Sequence, residues 1–121
     1  MSKGAGNPRR PRVAQSLRSA LGDLIRSEVS DPRVKNSMVS INHVDLNRDM
    51  SVANIYVSVI GSEEAEGRKT VDVLKKAAGY LRGPLARTLK MKRAPELRFF
   101  YDDSAEFRDK LDQINHEQEK P

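Results

Sequence analysis

Histidine, cysteine and paired carboxylates carry most side-chain catalysis, and this chain has few of them. It holds two histidines, His43 and His116, and no cysteine. His43 and Asp45 stand two residues apart, which on a strand sets a base beside an acid able to orient it. No serine or cysteine nucleophile motif and no Walker-type glycine loop accompanies them, so a surface histidine is the simpler account. Asp102-Asp103 has the chemistry to hold Mg²⁺, but a strand exit and a helix cap explain the pair as well. The lack of cysteine excludes a disulfide scaffold, thiol catalysis and Cys-based zinc sites. No catalytic residue, metal ligand or cofactor is expected, and the chain reads as a non-enzyme.

The cations say more. Lysine and arginine number 22 against 17 acids, a net charge of +5, and they are segregated. Residues 1–18 carry Lys3, Arg9, Arg10, Arg12 and Arg18 with no acid, and residues 75–98 carry eight cations against Glu96 alone. Residues 102–121 are acidic. Such segregation produces a local positive field that can steer and hold a polyanion.

Within the basic region, Lys75, Lys76 and Arg82 surround Ala77-Ala78-Gly79. A helix interrupted there would present free amide hydrogens to a phosphate, and Gly79 would allow close backbone approach. The alternative is that the small residues let the helix pack closely on a sheet. Arg87, Lys90, Lys92 and Arg93 follow at a helix end. Part of that charge answers the helix dipole, and the excess points to RNA. Arg9, Arg10 and Arg12 suit an arm that orders along a phosphate groove or a solubilising tail. Most aromatics fall at core spacing. Tyr56 and Phe100 do not, which makes them candidates for base stacking or for cover by a helix.

The elements that must position these groups are legible in the hydrophobic period. Val13, Leu17, Leu21 and Leu24 predict a helix over residues 12–30, stopped at Asp31-Pro32. Residues 38–46 and 51–60 read as a hairpin of strands, with the alternation of the first blurred at His43-Val44. Residues 63–91 have a helical pattern, but Gly79 and Gly83-Pro84 predict a kink or a helix-turn-helix, with Pro84 opening the second helix. Residues 95–102 read as a third strand and 103–114 as a short helix with Phe107, Leu111 and Ile114 on its apolar stripe. The expected fold is one α+β domain over residues 12–114, its helices packed on a three-stranded sheet, between a disordered basic tail at 1–11 and a disordered polar tail at 115–121. Residues 1–13 lack the apolar core of a secretory signal. No apolar run approaches the ~18 residues of a membrane helix. A cytoplasmic monomer is expected.

Four blocks make the reading more specific: Ser30-Asp31-Pro32-Arg33-Val34, Ala53-Asn54-Ile55-Tyr56-Val57-Ser58-Val59, Ala77-Ala78-Gly79-Tyr80-Leu81-Arg82, and Pro95-Glu96-Leu97-Arg98-Phe99-Phe100-Tyr101-Asp102-Asp103-Ser104. In this order and spacing they resemble the bacterial ribosome-binding factor A family over residues 12–108. The resemblance implies a type II KH-like fold, α-β-β-α-kink-α-β, with Ala-x-Gly in place of the Gly-x-x-Gly loop of other KH domains. It also implies binding to the free small (30S) ribosomal subunit through 16S rRNA, alongside other assembly factors. The implied role is late maturation of 16S rRNA near its 5′ end, with most weight in the cold. Gly83-Pro84 adds a break beyond Ala77-Ala78-Gly79, which either widens the expected bend or shifts it toward residue 83. Two other functions fit the composition: a KH-type binder of single-stranded RNA, and a protein–protein adaptor at the ribosome.

Overall fold

The computed structural model describes residues 9–103. They form α1 (Arg9–Glu28), α2 (Pro32–Lys35), β1 (Met38–Leu46), β2 (Val52–Ile60), α3 (Glu64–Leu89) and β3 (Glu96–Tyr101). The sheet order is β1-β2-β3, with β1 antiparallel and β3 parallel to β2. The long α3 is thus the crossover that a parallel strand pair requires. The short helix expected at residues 103–114 and the tail at 115–121 lie outside the described residues, apart from Asp103.

α1 starts three residues before the predicted position, so Arg9, Arg10 and Pro11 are helical and not part of a tail. Pro11 had suggested a boundary, but the first four amides of a helix have no intrahelical acceptor, and proline there removes no bond. Leu17, Ala20, Leu21 and Ile25 turn inward. The Asp31-Pro32 stop holds in a modified form, because it opens a short helix of its own. The Asp31 carboxylate accepts from Arg33 N at 2.9 Å, Pro32 takes the first turn, and Val34 enters the core. Thr70 Oγ1 donates to the Arg33 carbonyl at 3.2 Å and ties this helix to α3.

The blurred period of β1 has a structural cause. Pairing with β2 slips between Ile41 and His43, a β-bulge that leaves Asn42 as the extra residue. Ile41, Val44 and Leu46 therefore all reach the core across an uneven spacing. On β2, Ala53, Ile55, Val57 and Val59 are buried in strict alternation. On β3, Leu97 and Phe99 join them. α1 and α3 cover this face of the sheet, and the opposite face carries Asn54, Tyr56, Ser58 and Phe100.

Of the kink and the helix-turn-helix expected here, the helix-turn-helix does not form, and one helix spans the breakers. α3 runs unbroken through Gly79, Gly83 and Pro84, and Pro84 lies inside it instead of starting a new one. Proline costs a helix interior ~3 kcal/mol and glycine ~1 kcal/mol each. Leu74, Leu81 and Leu85 are fully buried on one helical stripe spanning the breakers. Burial of each leucine is worth about 1.5–3 kcal/mol, so packing on both sides of Pro84 is large enough to keep the helix in phase. The glycine that permits close packing is Gly67, which the sequence did not single out. A Cβ there would lie 2.6 Å from Tyr101 Cε1.

Candidate nucleic-acid interface

An unbroken α3 arranges its cations as a strip. From Lys75 to Arg93 there is no acidic residue, and Lys75 and Lys90 are about 22 Å apart along the helix at 1.5 Å per residue. Lys75, Gly79 and Arg82 lie on one flank of the buried stripe. Lys76 and Arg87 lie on the other side of that flank, close to the Gly83 position. Lys75, Lys76, Arg87, Lys90, Lys92 and Arg93 are exposed. Lys75 Nζ lies 3.8 Å from Asp72 Oδ1, one turn away. A surface pair of this kind is weak and leaves the ammonium available to another anion.

The small residues separate into different roles. Ala77 is buried and Ala78 half-buried against the core, so their side chains serve packing. Gly79 is exposed, and an added Cβ would meet nothing within 4 Å. Packing does not require a glycine at that position, which leaves the helix backbone approachable from outside. Because the helix is continuous there, free amide hydrogens are not part of the site, and cationic side chains must supply the attraction.

Arg82 differs from the other cations. Its Nη2 donates to the Ala94 carbonyl at 2.9 Å, and its Nε is buried without a partner. The guanidinium braces the connection between α3 and β3. Lys90 ends α3 in the left-handed conformation, φ 55° and ψ 40°. Met91 N donates to the Ala86 carbonyl at 2.9 Å, closing a Schellman-type cap.

The tertiary fold adds the N-terminal cations. α1 and α3 run in opposite directions: Tyr80 Oη reaches the Glu28 carbonyl at 3.5 Å, and the start of α1 meets the end of α3. A groove there is lined by Arg9 and Arg12 on one side and Thr88, Lys90 and Met91 on the other. Arg10 is half-buried on the same helix turn. The two basic segments, some eighty residues apart in sequence, thus converge at one end of the strip. A second groove, between α1 and β1, collects Arg18, Arg26 and Lys35. Sequence reading missed it because Arg18 and Arg26 of α1 meet Lys35 of α2 only through the fold. Much of that charge is already used, since Arg26 pairs with Asp23 and Lys35 Nζ donates to the Arg26 carbonyl.

The other candidates resolve differently. His43 is exposed and its ring lies 6.0 Å from that of Tyr56; no hydrogen bond links it to Asp45 among the described residues. Asp102 is buried and accepts from Asn42 Nδ2 at 2.6 Å, a structural tie across the sheet. Among the described residues no group of histidine and carboxylates is placed to hold a metal, and no helix is long and apolar enough to cross a membrane.

An α+β fold with an antiparallel pair, a crossover helix and a parallel third strand, bearing its cations along that helix, defines a type II KH-like nucleic-acid-binding class. The family described as ribosome-binding factor A matches residues 9–115. Ribosome-binding factor A of Saccharophagus degradans is 47% identical over 98 residues, covering 80% of this chain and 75% of that protein. The Halorhodospira halophila protein is 45% identical over 95 residues, covering 78% and 74%. The crystal structure of the Thermus thermophilus factor has a TM-score of 0.63 at 30% identity, over 75% of this chain and 92% of that one. A Thermus thermophilus homology model fitted into a cryo-EM map of a complex of the factor with the 30S subunit has a TM-score of 0.56 at 30% identity, over 72% and 88%. The chain belongs to the ribosome-binding factor A family.

Proposed function

We propose that this protein binds the free 30S ribosomal subunit through 16S rRNA phosphates and assists a late step of 16S rRNA maturation. The observation that carries the reading is the acid-free strip on α3 and the loop after it, extended by Arg9 and Arg12 across the groove. A strip about 22 Å long at 1.5 Å per residue suits a folded RNA backbone and not a point-like ligand. Family membership directs it to the small subunit, since a relative's homology model was fitted into a 30S complex. The contacts are Lys75, Lys76, Arg87, Lys90, Lys92 and Arg93, with Arg9, Arg10 and Arg12 at one end, Arg82 as brace and partial contact, and the Ala77-Ala78-Gly79 segment as the point of closest approach. The action is mass action: the factor favours one rRNA conformation by its difference in affinity. It needs no catalytic group, and its weight is greatest in the cold, where misfolded rRNA escapes slowly. The place of action is the cytoplasm, and the monomer suffices.

The test is co-sedimentation with purified 30S subunits, 50S subunits and 70S ribosomes over a salt series, comparing wild type with Lys75→Glu/Lys76→Glu/Arg87→Glu. Arg82 is left intact because its loss would free the Ala94 carbonyl. With about 4 to 6 of these cations on phosphates at one time, the log–log salt slope is about −3 to −5. Binding confined to free 30S, steep in salt and lost in the folded triple variant, is expected. Absence of 30S binding at every salt concentration overturns the reading. A complex that survives ribonuclease points to a protein–protein adaptor instead, and selective binding of a short oligonucleotide to a single-strand binder.

A further inference from the structure

One aromatic ring stands in solvent within the cation strip. Tyr80 of α3 is 55% exposed. Lys76 lies one turn before it, Gly83 one turn after and Arg87 two turns after, on the same outward side of the helix. A single exposed ring is ordinary, and what sets Tyr80 apart is its surroundings. The exposed rings of the sheet differ in this respect. His43, Tyr56 and Phe100 are register partners on the three strands. Their rings form a ladder, with centroids 6.0 Å apart for His43–Tyr56 and 5.4 Å for the stacked Tyr56–Phe100 pair. The ladder lies on the face turned away from the helices, and the cation in the adjacent register, Arg98, is paired with Glu96 at 2.8 Å. Tyr80 instead lies in a stretch without an acid from Lys75 to Arg93.

Three features make a seat beside this ring. The first is restraint. Tyr80 Oη reaches the Glu28 carbonyl at 3.5 Å, which limits the ring's rotation and lowers the ordering cost of a stacked ligand. The second is space. Gly79 and Gly83 flank the ring and are both exposed. A Cβ at Gly79 would meet nothing within 4 Å, and one at Gly83 only the Arg87 guanidinium at 3.7 Å, an ordinary contact. Packing requires neither glycine, and each weakens a helix interior. Together they leave bare backbone where side chains would otherwise crowd the ring. The third is an acceptor. Pro84 lies inside the helix and has no amide hydrogen, so the Tyr80 carbonyl lacks the donor that residue 84 would supply. No side chain at residue 83 covers that oxygen.

A ligand that uses all three features brings a flat ring, a hydrogen-bond donor and negative charge. An apolar protein side chain would gain from the ring but not from the carbonyl or the cations. A paired RNA helix would meet the cations but keeps the faces of its bases inside the stack. We propose that an unpaired RNA base stacks on Tyr80 over Gly83, its amino group donating to the Tyr80 carbonyl, while Lys76 and Arg87 hold the neighbouring phosphates. This rests on the reading of the α3 strip as an rRNA site and adds selectivity to it. The cations attract any RNA backbone, and the ring selects a place where a base is free of its pair.

The test measures affinity of the full chain for 30S subunits over a salt series, and for two RNA hairpins, one fully paired and one with a single bulged adenosine. Wild type is compared with Tyr80→Phe, Tyr80→Leu and Gly83→Leu, each shown by circular dichroism to be folded. Stacking of one base is worth about 5- to 150-fold in affinity. Tyr80→Leu should bind 30S about fivefold or more weakly with the salt slope unchanged, because no phosphate contact is lost. Tyr80→Phe keeps the ring and should bind like wild type. Gly83→Leu fills the space with a better helix former, so it should weaken binding without loss of stability. Wild type should prefer the bulged hairpin, and Tyr80→Leu should erase that preference. Equal 30S binding by wild type and Tyr80→Leu overturns the stacking and leaves the strip reading intact. So does a Tyr80→Phe variant as weak as Tyr80→Leu, which assigns the residue to its contact with α1. Equal binding of the two hairpins by wild type also overturns it. A wild type that binds neither 30S nor RNA overturns the strip reading together with the stacking.

Discussion

Gly67 on α3 and Tyr101 at the end of β3 lie so close that a methyl group at residue 67 would sit 2.6 Å from the tyrosine Cε1. The ring is also held from the helix side, where the Arg68 guanidinium stacks 4.7 Å from its centroid. This contact seats the first turns of α3 against the strand that α3 leads into. Gly67→Ala should therefore destabilise despite the gain in helix propensity. Overpacking costs about 1–3 kcal/mol and propensity returns ~1 kcal/mol, for a net loss on the order of 1 kcal/mol. Urea unfolding followed by circular dichroism measures it, and a stabilised Gly67→Ala would show that the ring moves aside freely.

Gly79→Ala should behave in the opposite way. An added Cβ there meets nothing, and alanine in a helix interior gains ~1 kcal/mol over glycine. The variant should unfold at higher urea. If rRNA approaches the helix backbone here, its 30S affinity should fall at the same time. A variant that is more stable and binds equally well would remove Gly79 from the interface.

Lys90 pairs conformational strain with charge. A non-glycine residue in the left-handed region is uncommon, and Lys90 adopts it to cap α3. Lys90→Gly should raise stability by up to about 1 kcal/mol. It should also flatten the salt slope of 30S binding by about 0.7–0.9 if one phosphate contact is lost. Stabilisation with an unchanged slope would assign Lys90 to capping alone.

The β1–β2 hairpin should weaken in acid through Asp49. The Ser51 hydroxyl, at 2.6 Å, and the Ser51 amide, at 3.1 Å, both donate to Asp49 Oδ1, and hold its carboxyl below the ordinary value of 3.8. A lowered folded value means that the charged form is favoured by folding. The contribution is present above the ordinary value and is lost as pH falls through the folded one. The thermal midpoints of wild type and Asp49→Asn should differ at neutral pH and converge below about pH 4. A gap that stays constant down to pH 2 would exclude Asp49 as its source. Glu96, lowered by Arg98, contributes to the same acid limb with the same sign.

The four sequence blocks that carried the family resemblance do mostly structural work. Asp31 caps α2 and Val34 fills the core, residues 53–59 are the central strand, and Pro95, Leu97 and Phe99 are buried. Family likeness was readable because core packing and capping demand particular residues at particular places. A phosphate contact demands only a cation within reach, so the site was legible as a concentration of charge and not as a geometry.

Sequence alone determined α1 and the three strands as such, the helical character of α3, the bounds of β1, the inward faces of α1, β2 and β3, and the segregation of charge. All of these are local: hydrophobic period, turn residues and cation count act within a few residues along the chain. Tertiary structure decided the rest. It kept α3 whole through Pro84, because the leucines on either side of the breakers pack against one core. It gave the close-packing role to Gly67 and left Gly79 open, since only the position of Tyr101 distinguishes them. It brought Arg9 and Arg12 to Lys90, and aligned His43, Tyr56 and Phe100 in one ladder. Those relations depend on which elements lie side by side, and hydrophobic burial across the whole domain sets that arrangement, not the residues adjacent in the chain.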